Sequence, residues 1–255
     1  MYKKEKCIHC GQCIMHCPTG ALHVKDDMII SDHCKCTGCG ACLAQCGAQA
    51  LHTKANTYTV GALLEEIEKD RDFYERSGGG ITLSGGEILA HADFALTVAK
   101  ECTKRGISVA ADTCGYGKYE DLKALAEQVD VILYDLKHMD PEKHKKLTGR
   151  YPDLIWDNLI RLTEDGFADK VIVRVPFIHG LNDDDTNINE LLAFMKKHGL
   201  SHVNFLPYHN MGIGKGREVG IVQEEFATPP DELLEKVRNL YQDNNIKTII
   251  MGKEN

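Results

Sequence analysis

Cysteine is the residue whose spacing says most about chemistry in this sequence. The 255 residues include 11 cysteines, and nine of these lie between Cys7 and Cys46. Eight of the nine form two runs with the same spacing, Cys-x2-Cys-x2-Cys-x3-Cys, which begin at Cys7 and Cys36. Zinc would not explain two four-cysteine runs of this spacing, and disulfides suit neither the spacing nor a cytoplasmic protein. Thiolates at these intervals are typical ligands of [4Fe–4S] clusters.

The two runs resemble bacterial two-cluster ferredoxins, in which three close cysteines hold one cluster and the fourth crosses to the other. This resemblance predicts two [4Fe–4S] clusters. The ligands are then Cys7, Cys10, Cys13 and Cys46 for the first cluster, and Cys17, Cys36, Cys39 and Cys42 for the second. Gly47 stands where the first run has Pro18, which loosens a turn without removing a ligand. We interpret Cys34 as a bystander and Cys102, which lies on an apolar helix stripe, as a core residue.

Charge and hydrophobic pattern restrict the partners of the chain. A net charge of −8 argues against binding to nucleic acid or to anionic membranes. The basic stretch Lys143–Lys146 is interpreted as the solvated side of a helix. No run approaches the roughly 18 apolar residues of a membrane helix, and the basic N-terminus leads into cysteines rather than an apolar signal segment. We therefore predict a cytoplasmic protein, and the density of cysteines predicts an oxygen-poor setting.

The composition changes sharply near residue 54. We predict a ferredoxin-type module over residues 1–54 and a second domain over residues 55–255. In the second domain helical segments alternate with short apolar strands, which indicates a parallel sheet, either barrel-like or doubly wound. One helical stripe is predicted from Val60 to Tyr74, stopped by the glycines that follow it. Another helix is predicted to begin at the N-cap Asp140 and to end at Gly149.

Polar residues and glycines cluster just past the predicted strand ends. They are Gly85–Glu87, Asp112, Asp135, Lys137 and His209. Ligands of parallel α/β proteins bind at the carboxyl ends of the strands, so this edge of the sheet is the predicted binding site.

Six motifs occur in an order that is specific when they are taken together. They are "SGGGITLSGGE", "ADTCGY", "YDLKHMD", "KLTG", "VRVPFIHGLND" and "LPYH". On these motifs the chain resembles the activating enzymes of glycyl radical enzymes, which belong to the radical S-adenosylmethionine (SAM) superfamily. The resemblance covers essentially the whole chain. It implies an α/β fold, a partial (β/α)6 TIM-like barrel with a ferredoxin-like module that carries two [4Fe–4S] clusters.

The resemblance also implies roles for the Gly-Gly-Glu turn. Gly85 and Gly86 present bare backbone to the methionyl part of SAM, and Glu87 pairs with its ammonium group. In isolation this tripeptide is better explained as a strand-to-helix turn. Ile88 stands where the family commonly has proline. Cys114 matches a position that accepts small or polar residues, so it is not predicted as a ligand.

Further contacts to SAM are implied at the other strand ends. Asp112 and Asp135 are suited to ribose or amino-acid contacts, and Lys137 and Arg174 supply cations for the SAM carboxylate. His209 is placed beside the adenine or ribose, although a lone histidine is more often structural.

The chemistry implied by the resemblance is one-electron chemistry. A reduced [4Fe–4S] cluster that chelates SAM cleaves the sulfonium C–S bond, and the 5′-deoxyadenosyl radical removes a hydrogen atom from a backbone glycine of a partner enzyme. The two ferredoxin-type clusters then relay electrons from a donor such as flavodoxin or ferredoxin. The protein orients the cofactor and excludes water and oxygen.

The sequence departs from the family at the catalytic cluster. The family places a Cys-x3-Cys-x2-Cys loop ahead of the ferredoxin insert, and these 255 residues contain no such spacing. The catalytic cysteines are therefore unknown, and a third, SAM-binding cluster is expected only in a full-length form. We favour a truncated chain or a mis-set start over one half of a split protein or a degenerate homologue. As written, the chain is expected not to cleave SAM and to expose a sheet edge.

Two other functions stay open. One is an iron–sulfur electron-transfer or binding protein without SAM cleavage, which the missing motif supports. The other is a non-functional fragment, which would fail to fold.

Overall fold

The computed structural model describes residues 2–53, 56–210 and 224–252, which form two compact units. The cysteine unit comprises Met1–Thr57 and His209–Phe226. The sheet unit comprises Tyr58–Tyr208 and Ala227–Asn255. In the described part of the chain, no helix is long and apolar enough to cross a membrane.

The cysteine unit repeats one local structure at an interval of 29 residues, the distance from Cys7 to Cys36. Its short helices are α1 (Gln12–Met15) and α2 (Ala41–Ala44). Each follows a glycine in the left-handed region, Gly11 at φ 69° and Gly40 at φ 75°. A side chain at either glycine would be strained, which explains why both runs carry glycine immediately after their second cysteine.

An antiparallel hairpin joins the two repeats. It consists of β1 (Leu22–Lys25) and β2 (Met28–Ser31). Its turn residues Asp26 and Asp27 both have positive φ, as a two-residue hairpin turn requires. A small core of Tyr2, Cys13, Leu22, Ile29 and Ala50 lies within this unit.

The sheet unit contains six parallel strands whose order in the sheet is their order in the chain. They are β3 (Gly80–Leu83), β4 (Ser108–Thr113), β5 (Val131–Asp135), β6 (Val171–Phe177), β7 (His202–Pro207) and β8 (Lys247–Ile250). Among the described strands, β3 and β8 form the two edges. The predicted α/β fold with a parallel, partial-barrel sheet is confirmed.

Helices precede and connect the strands, and most of them bury apolar residues in the core. They are α3 (Val60–Glu68), α4 (Arg71–Ser77), α5 (Ala92–Lys104), α6 (Tyr119–Ala126), α7 (Pro141–Thr148), α8 (Asp153–Glu164), α9 (Asp185–Lys197) and α10 (Asp231–Gln242). In the core, the ring of Phe205 packs edge-on against Phe177 and Tyr241 at centroid distances of 5.1 and 5.2 Å. Cys102 is fully buried on α5, as predicted.

The helix ends show what sequence signals captured and what they missed. Asp140 accepts hydrogen bonds from the backbone N–H groups of Glu142 and Lys143, and α7 ends at Gly149 in the left-handed region, as predicted. The single helical stripe predicted from Val60 to Tyr74 is wrong. The chain leaves helical geometry at Asp70 (φ −100°, ψ 13°), so α3 and α4 are separate helices.

Candidate SAM cleft and cysteine module

A polar cleft of about 320 Å³ lies at the carboxyl edge of the sheet. The turn after β3 and the ends of β4 and β5 supply most of its walls, and β6 supplies Arg174. Seven of the eight residues predicted to contact SAM line it: Gly85, Gly86, Glu87, Asp112, Asp135, Lys137 and Arg174. His209 belongs to the cysteine unit instead and stays a prediction.

Arg174 is the central cation of this cleft. Its Nη1 lies 2.9 Å from Oδ2 of Asp112, and its Nε lies 3.5 Å from Oδ1 of Asp135. Ser84 donates a hydrogen bond to the same Asp112 oxygen, at 2.9 Å. Burial raises the pKa of the Asp135 carboxyl, while Arg174 and Lys137 act in the opposite direction. The cleft thus holds carboxylates and cations within reach of one ligand.

Two buried polar atoms in the cleft are left without a hydrogen bond. They are Oδ1 of Asp135 and Nε of Arg174, whose mutual distance of 3.5 Å exceeds normal hydrogen-bond length. Buried polar atoms of this kind usually have a partner, so a ligand is the simplest account of them. At Gly85 (φ 134°) and Gly86 no atom lies within 4 Å of an added Cβ, so bare backbone lines that wall. A zwitterionic ligand with hydroxyl groups, such as SAM, fits this donor set.

The Glu87 carboxylate accepts four hydrogen bonds from other residues of the chain, which the sequence did not suggest. Its Oε1 accepts hydrogen bonds from Leu89 N–H at 3.1 Å and from the Thr113 hydroxyl at 2.5 Å. Its Oε2 accepts from the backbone N–H and the thiol of Cys114, at 2.9 and 3.0 Å. These bonds tie the turn after β3 to the end of β4 and orient the glycines of the Gly-Gly-Glu turn.

Cys114 is expected to resist alkylation in the folded protein. Burial and the Glu87 carboxylate raise the pKa of its thiol to about 11, so about 0.1% is thiolate at pH 8. We expect iodoacetamide at pH 8 to modify the exposed Cys34 rapidly and Cys114 only after denaturation, as measured by peptide mass spectrometry. Modification of both residues at similar rates would show that this thiol is not buried against Glu87.

A buried amide that sequence analysis missed holds the loop after β4. Asn158, fully buried on α8, donates hydrogen bonds to the carbonyls of Gly115 at 2.7 Å and Gly117 at 2.9 Å. The signal in the sequence was a polar residue beside Leu159 in an otherwise apolar stripe. This clamp keeps the loop that carries Cys114 against the core.

Gly115 cannot be replaced without disturbing that loop. It has φ 72°, and an added Cβ would lie 1.7 Å from the Tyr134 hydroxyl oxygen. Gly149 is a matched control, because its φ is 81° and nothing lies within 4 Å of its added Cβ. We expect Gly149→Ala to cost about 1–2 kcal/mol of unfolding free energy and Gly115→Ala about 1–3 kcal/mol more, measured by urea denaturation. Equal losses would contradict the predicted clash.

One cavity of the cysteine unit brings together four of the eight predicted cluster ligands. It is lined by Cys7, Cys10, Cys13 and Cys46. Burial raises the pKa of the Cys13 thiol, and the charges of Cys46 and Cys7 raise it further. Burial also raises the pKa of Cys42, to which the charges of Cys17 and Cys36 add. Within the described residues, no three His, Cys, Asp or Glu side chains form a site for a single metal ion.

Equivalent hydrogen bonds to sulfur occur in the two repeats. The backbone N–H of Ala21 donates to Sγ of Cys17 at 3.3 Å, and that of Ala50 donates to Sγ of Cys46 at 3.2 Å. Hydrogen bonds from Thr19, together with backbone donors, hold the pKa of Cys17 at about 7. Such donors stabilise a thiolate and tune the potential of a cluster it binds, so the residues present fit [4Fe–4S] clusters.

Comparison with known proteins agrees with this geometry. Residues 28–192 match the radical SAM superfamily, and residues 2–23 match a 4Fe-4S binding domain. The chain therefore belongs to the radical SAM superfamily and carries a 4Fe–4S binding domain.

Individual relatives define the group within that superfamily. The chain is 42% identical to the trans-4-hydroxy-L-proline dehydratase activating enzyme of Clostridioides difficile, over 99% of this chain and 84% of that protein. It is 38% identical to the choline trimethylamine-lyase activating enzyme of Oleidesulfovibrio alaskensis, over 86% of this chain and 73% of that protein. A domain of the pyruvate-formate lyase-activating enzyme from Bacteroides vulgatus superposes with a TM-score of 0.58 at 29% identity, covering 68% of this chain and 99% of that domain. This chain therefore belongs to the glycyl-radical-enzyme activating enzymes, a group within the radical SAM superfamily.

Proposed function

We propose that the chain is an activating enzyme of a glycyl radical enzyme, or the body of one, which binds SAM in the cleft and holds two [4Fe–4S] clusters in its cysteine unit. The observation that supports this most strongly is the convergence of four charged residues at one sheet edge: Asp112, Asp135, Lys137 and Arg174. Two of their buried polar atoms have no hydrogen bond. When bound, SAM and a reduced [4Fe–4S] cluster that chelates it would supply the one-electron radical chemistry, and the two clusters of the cysteine unit would relay electrons.

Each cleft residue has a role that follows from its charge and position. Arg174 and Lys137 bind the SAM carboxylate, and Asp112 and Asp135 accept hydrogen bonds from its ammonium and ribose hydroxyl groups. The backbone at Gly85 and Gly86 approaches the methionyl chain closely. Glu87 orients that turn, and a contact with the SAM ammonium would add to the four hydrogen bonds it already accepts. His209 is proposed beside the adenine or ribose.

The cysteine unit holds the proposed electron carriers. Residues 1–54 would act as the ferredoxin-type module and residues 55–255 as the catalytic domain. Cys7, Cys10, Cys13 and Cys46 bind one cluster, and Cys17, Cys36, Cys39 and Cys42 bind the other. A small reductant such as flavodoxin or ferredoxin would supply the electrons. The cysteines of these 255 residues do not provide the Cys-x3-Cys-x2-Cys ligands of a SAM-binding cluster.

The first partner to test is a trans-4-hydroxy-L-proline dehydratase, because the chain is 42% identical to the activating enzyme of that dehydratase. The 255-residue chain is reconstituted anaerobically with iron and sulfide, reduced, and mixed with SAM and the C. difficile dehydratase. Iron content, SAM binding, 5′-deoxyadenosine and the glycyl-radical EPR signal are measured. A glycyl radical that forms together with an equal amount of 5′-deoxyadenosine would support the activase function. It would also require that cysteines among these 255 residues hold the SAM-binding cluster.

The second candidate function is an iron–sulfur electron-transfer or binding protein that does not cleave SAM. It is favoured by the absence of the three-cysteine motif from the printed sequence. In the same experiment, about eight iron atoms and bound SAM without product would exclude activase chemistry by these residues alone and support this candidate.

A further inference from the structure

Exposed aromatic and basic side chains group around Tyr116, which follows the cleft-lining residue Cys114 by two positions. We call this the rim patch: Tyr116, Lys145, Leu147, Arg150 and Tyr151. Tyr116 is 40% exposed, Leu147 43% and Tyr151 41%. The Arg150 guanidinium lies 5.7 Å from the ring centre of Tyr116, and Nζ of Lys145 lies 4.1 Å from that of Tyr151. Exposed Tyr and Arg side chains are enriched where protein interfaces are energetically important.

The backbone beneath the rim patch is fixed by buried groups. The ring nitrogen Nδ1 of His144, which is 3% exposed, and the Thr148 hydroxyl contact the carbonyl of Arg150 at 2.8 and 3.1 Å. The Tyr151 hydroxyl donates to Glu142 at 3.1 Å. On the other side, Asn158 clamps the carbonyls that flank Tyr116. Because these side chains project from ordered backbone, binding a partner here costs little ordering entropy.

The position of the patch restricts what can cover it. Tyr116 follows Cys114, a residue of the cleft wall, by two positions. A protein that inserts a backbone glycine into the cleft must cover the rim around it. The patch and its neighbour Lys146 carry three cations, on a chain whose net charge is −8. A basic, aromatic surface on an acidic chain favours a partner segment that combines carboxylates with apolar side chains.

We propose that the rim patch is the docking surface for the glycyl radical enzyme, and that it receives an acidic, apolar segment beside the target glycine. This rests on the proposed function. It assigns a role to Lys145 and Lys146 of the basic stretch Lys143–Lys146, whose sequence pattern alone indicates the solvated side of a helix.

The test compares dissociation constants of the reconstituted chain with the C. difficile trans-4-hydroxy-L-proline dehydratase, measured by biolayer interferometry. We expect Arg150→Glu and Tyr116→Ser each to weaken binding at least about tenfold, and the Arg150→Glu effect to shrink as salt is added. Lys236→Glu, which reverses an exposed lysine on α10 outside the patch, should change binding less than about twofold. Iron content and SAM binding should be unchanged in all three variants.

Unchanged binding of both patch variants would overturn the docking proposal, as would failure of the wild-type chain to bind the dehydratase. Neither result depends on radical chemistry. Iron content, SAM binding and 5′-deoxyadenosine report on the proposed function separately, so the two proposals fail in distinguishable ways. Circular dichroism of each variant shows that a loss of binding is not a loss of fold.

Discussion

Arg174→Met is expected to lower the unfolding free energy by about 3 kcal/mol at pH 7.5. Arg174 lies between Asp112 and Asp135, and all three side chains are less than a quarter exposed. Removing it leaves two carboxylates facing each other without their main cation. The same variant should bind SAM at least about 30-fold more weakly, because truncating one partner of a desolvated charge pair costs about 2 kcal/mol or more.

The pH dependence of this effect separates an electrostatic cause from lost packing. The folded-state pKa of Asp135 is already raised by burial, and loss of Arg174 raises it further. Stability associated with a raised carboxyl pKa is fully present below the unfolded pKa and is lost as pH rises through the folded pKa. The deficit of Arg174→Met should therefore be smaller at pH 5 than at pH 7.5 in urea titrations.

A deficit that does not change with pH would contradict this account of Arg174. Lys236→Met is the matched control, since Lys236 pairs with Asp185 at 2.7 Å but both side chains are more than half exposed. We expect it to change stability by less than about 1 kcal/mol at either pH.

Cys17→Ser is expected to reduce bound iron from about eight atoms per chain toward four, because Cys17 is a proposed ligand of the second cluster. Cys34→Ser is the matched control. Cys34 is an exposed cysteine two positions from the second run and is assigned to neither cluster. Iron and acid-labile sulfide are measured after identical anaerobic reconstitution. A loss of iron in Cys34→Ser equal to that in Cys17→Ser would show that the ligand assignment is wrong.

Sequence was informative where spacing along the chain determines the chemistry. The two cysteine runs and the polar residues after each strand are local patterns. Parallel strands bring their carboxyl ends to one edge of the sheet, and this does not depend on the details of the connecting helices. Contacts between distant residues were not accessible in this way. Glu87 bonds to Thr113 and Cys114, 26 and 27 positions away, and Asn158 bonds to Gly115, 43 positions away. The break at Asp70 was missed because apolar periodicity continues across it.

The sequential order of the six parallel strands has a consequence for how the protein is made. Each strand pairs with the one synthesised just before it, so every addition to the sheet closes only one βα connection. Folding on the ribosome can then proceed in the direction of translation, without waiting for a distant strand. The cleft is assembled in the same order, from Gly85 through Asp112 and Asp135, and its second cation, Arg174, is the last of its lining residues to emerge. A nascent chain paused before β6 would hold Glu87, Asp112 and Asp135 beside one lining cation, Lys137, so the cleft is complete only after β6 has been made.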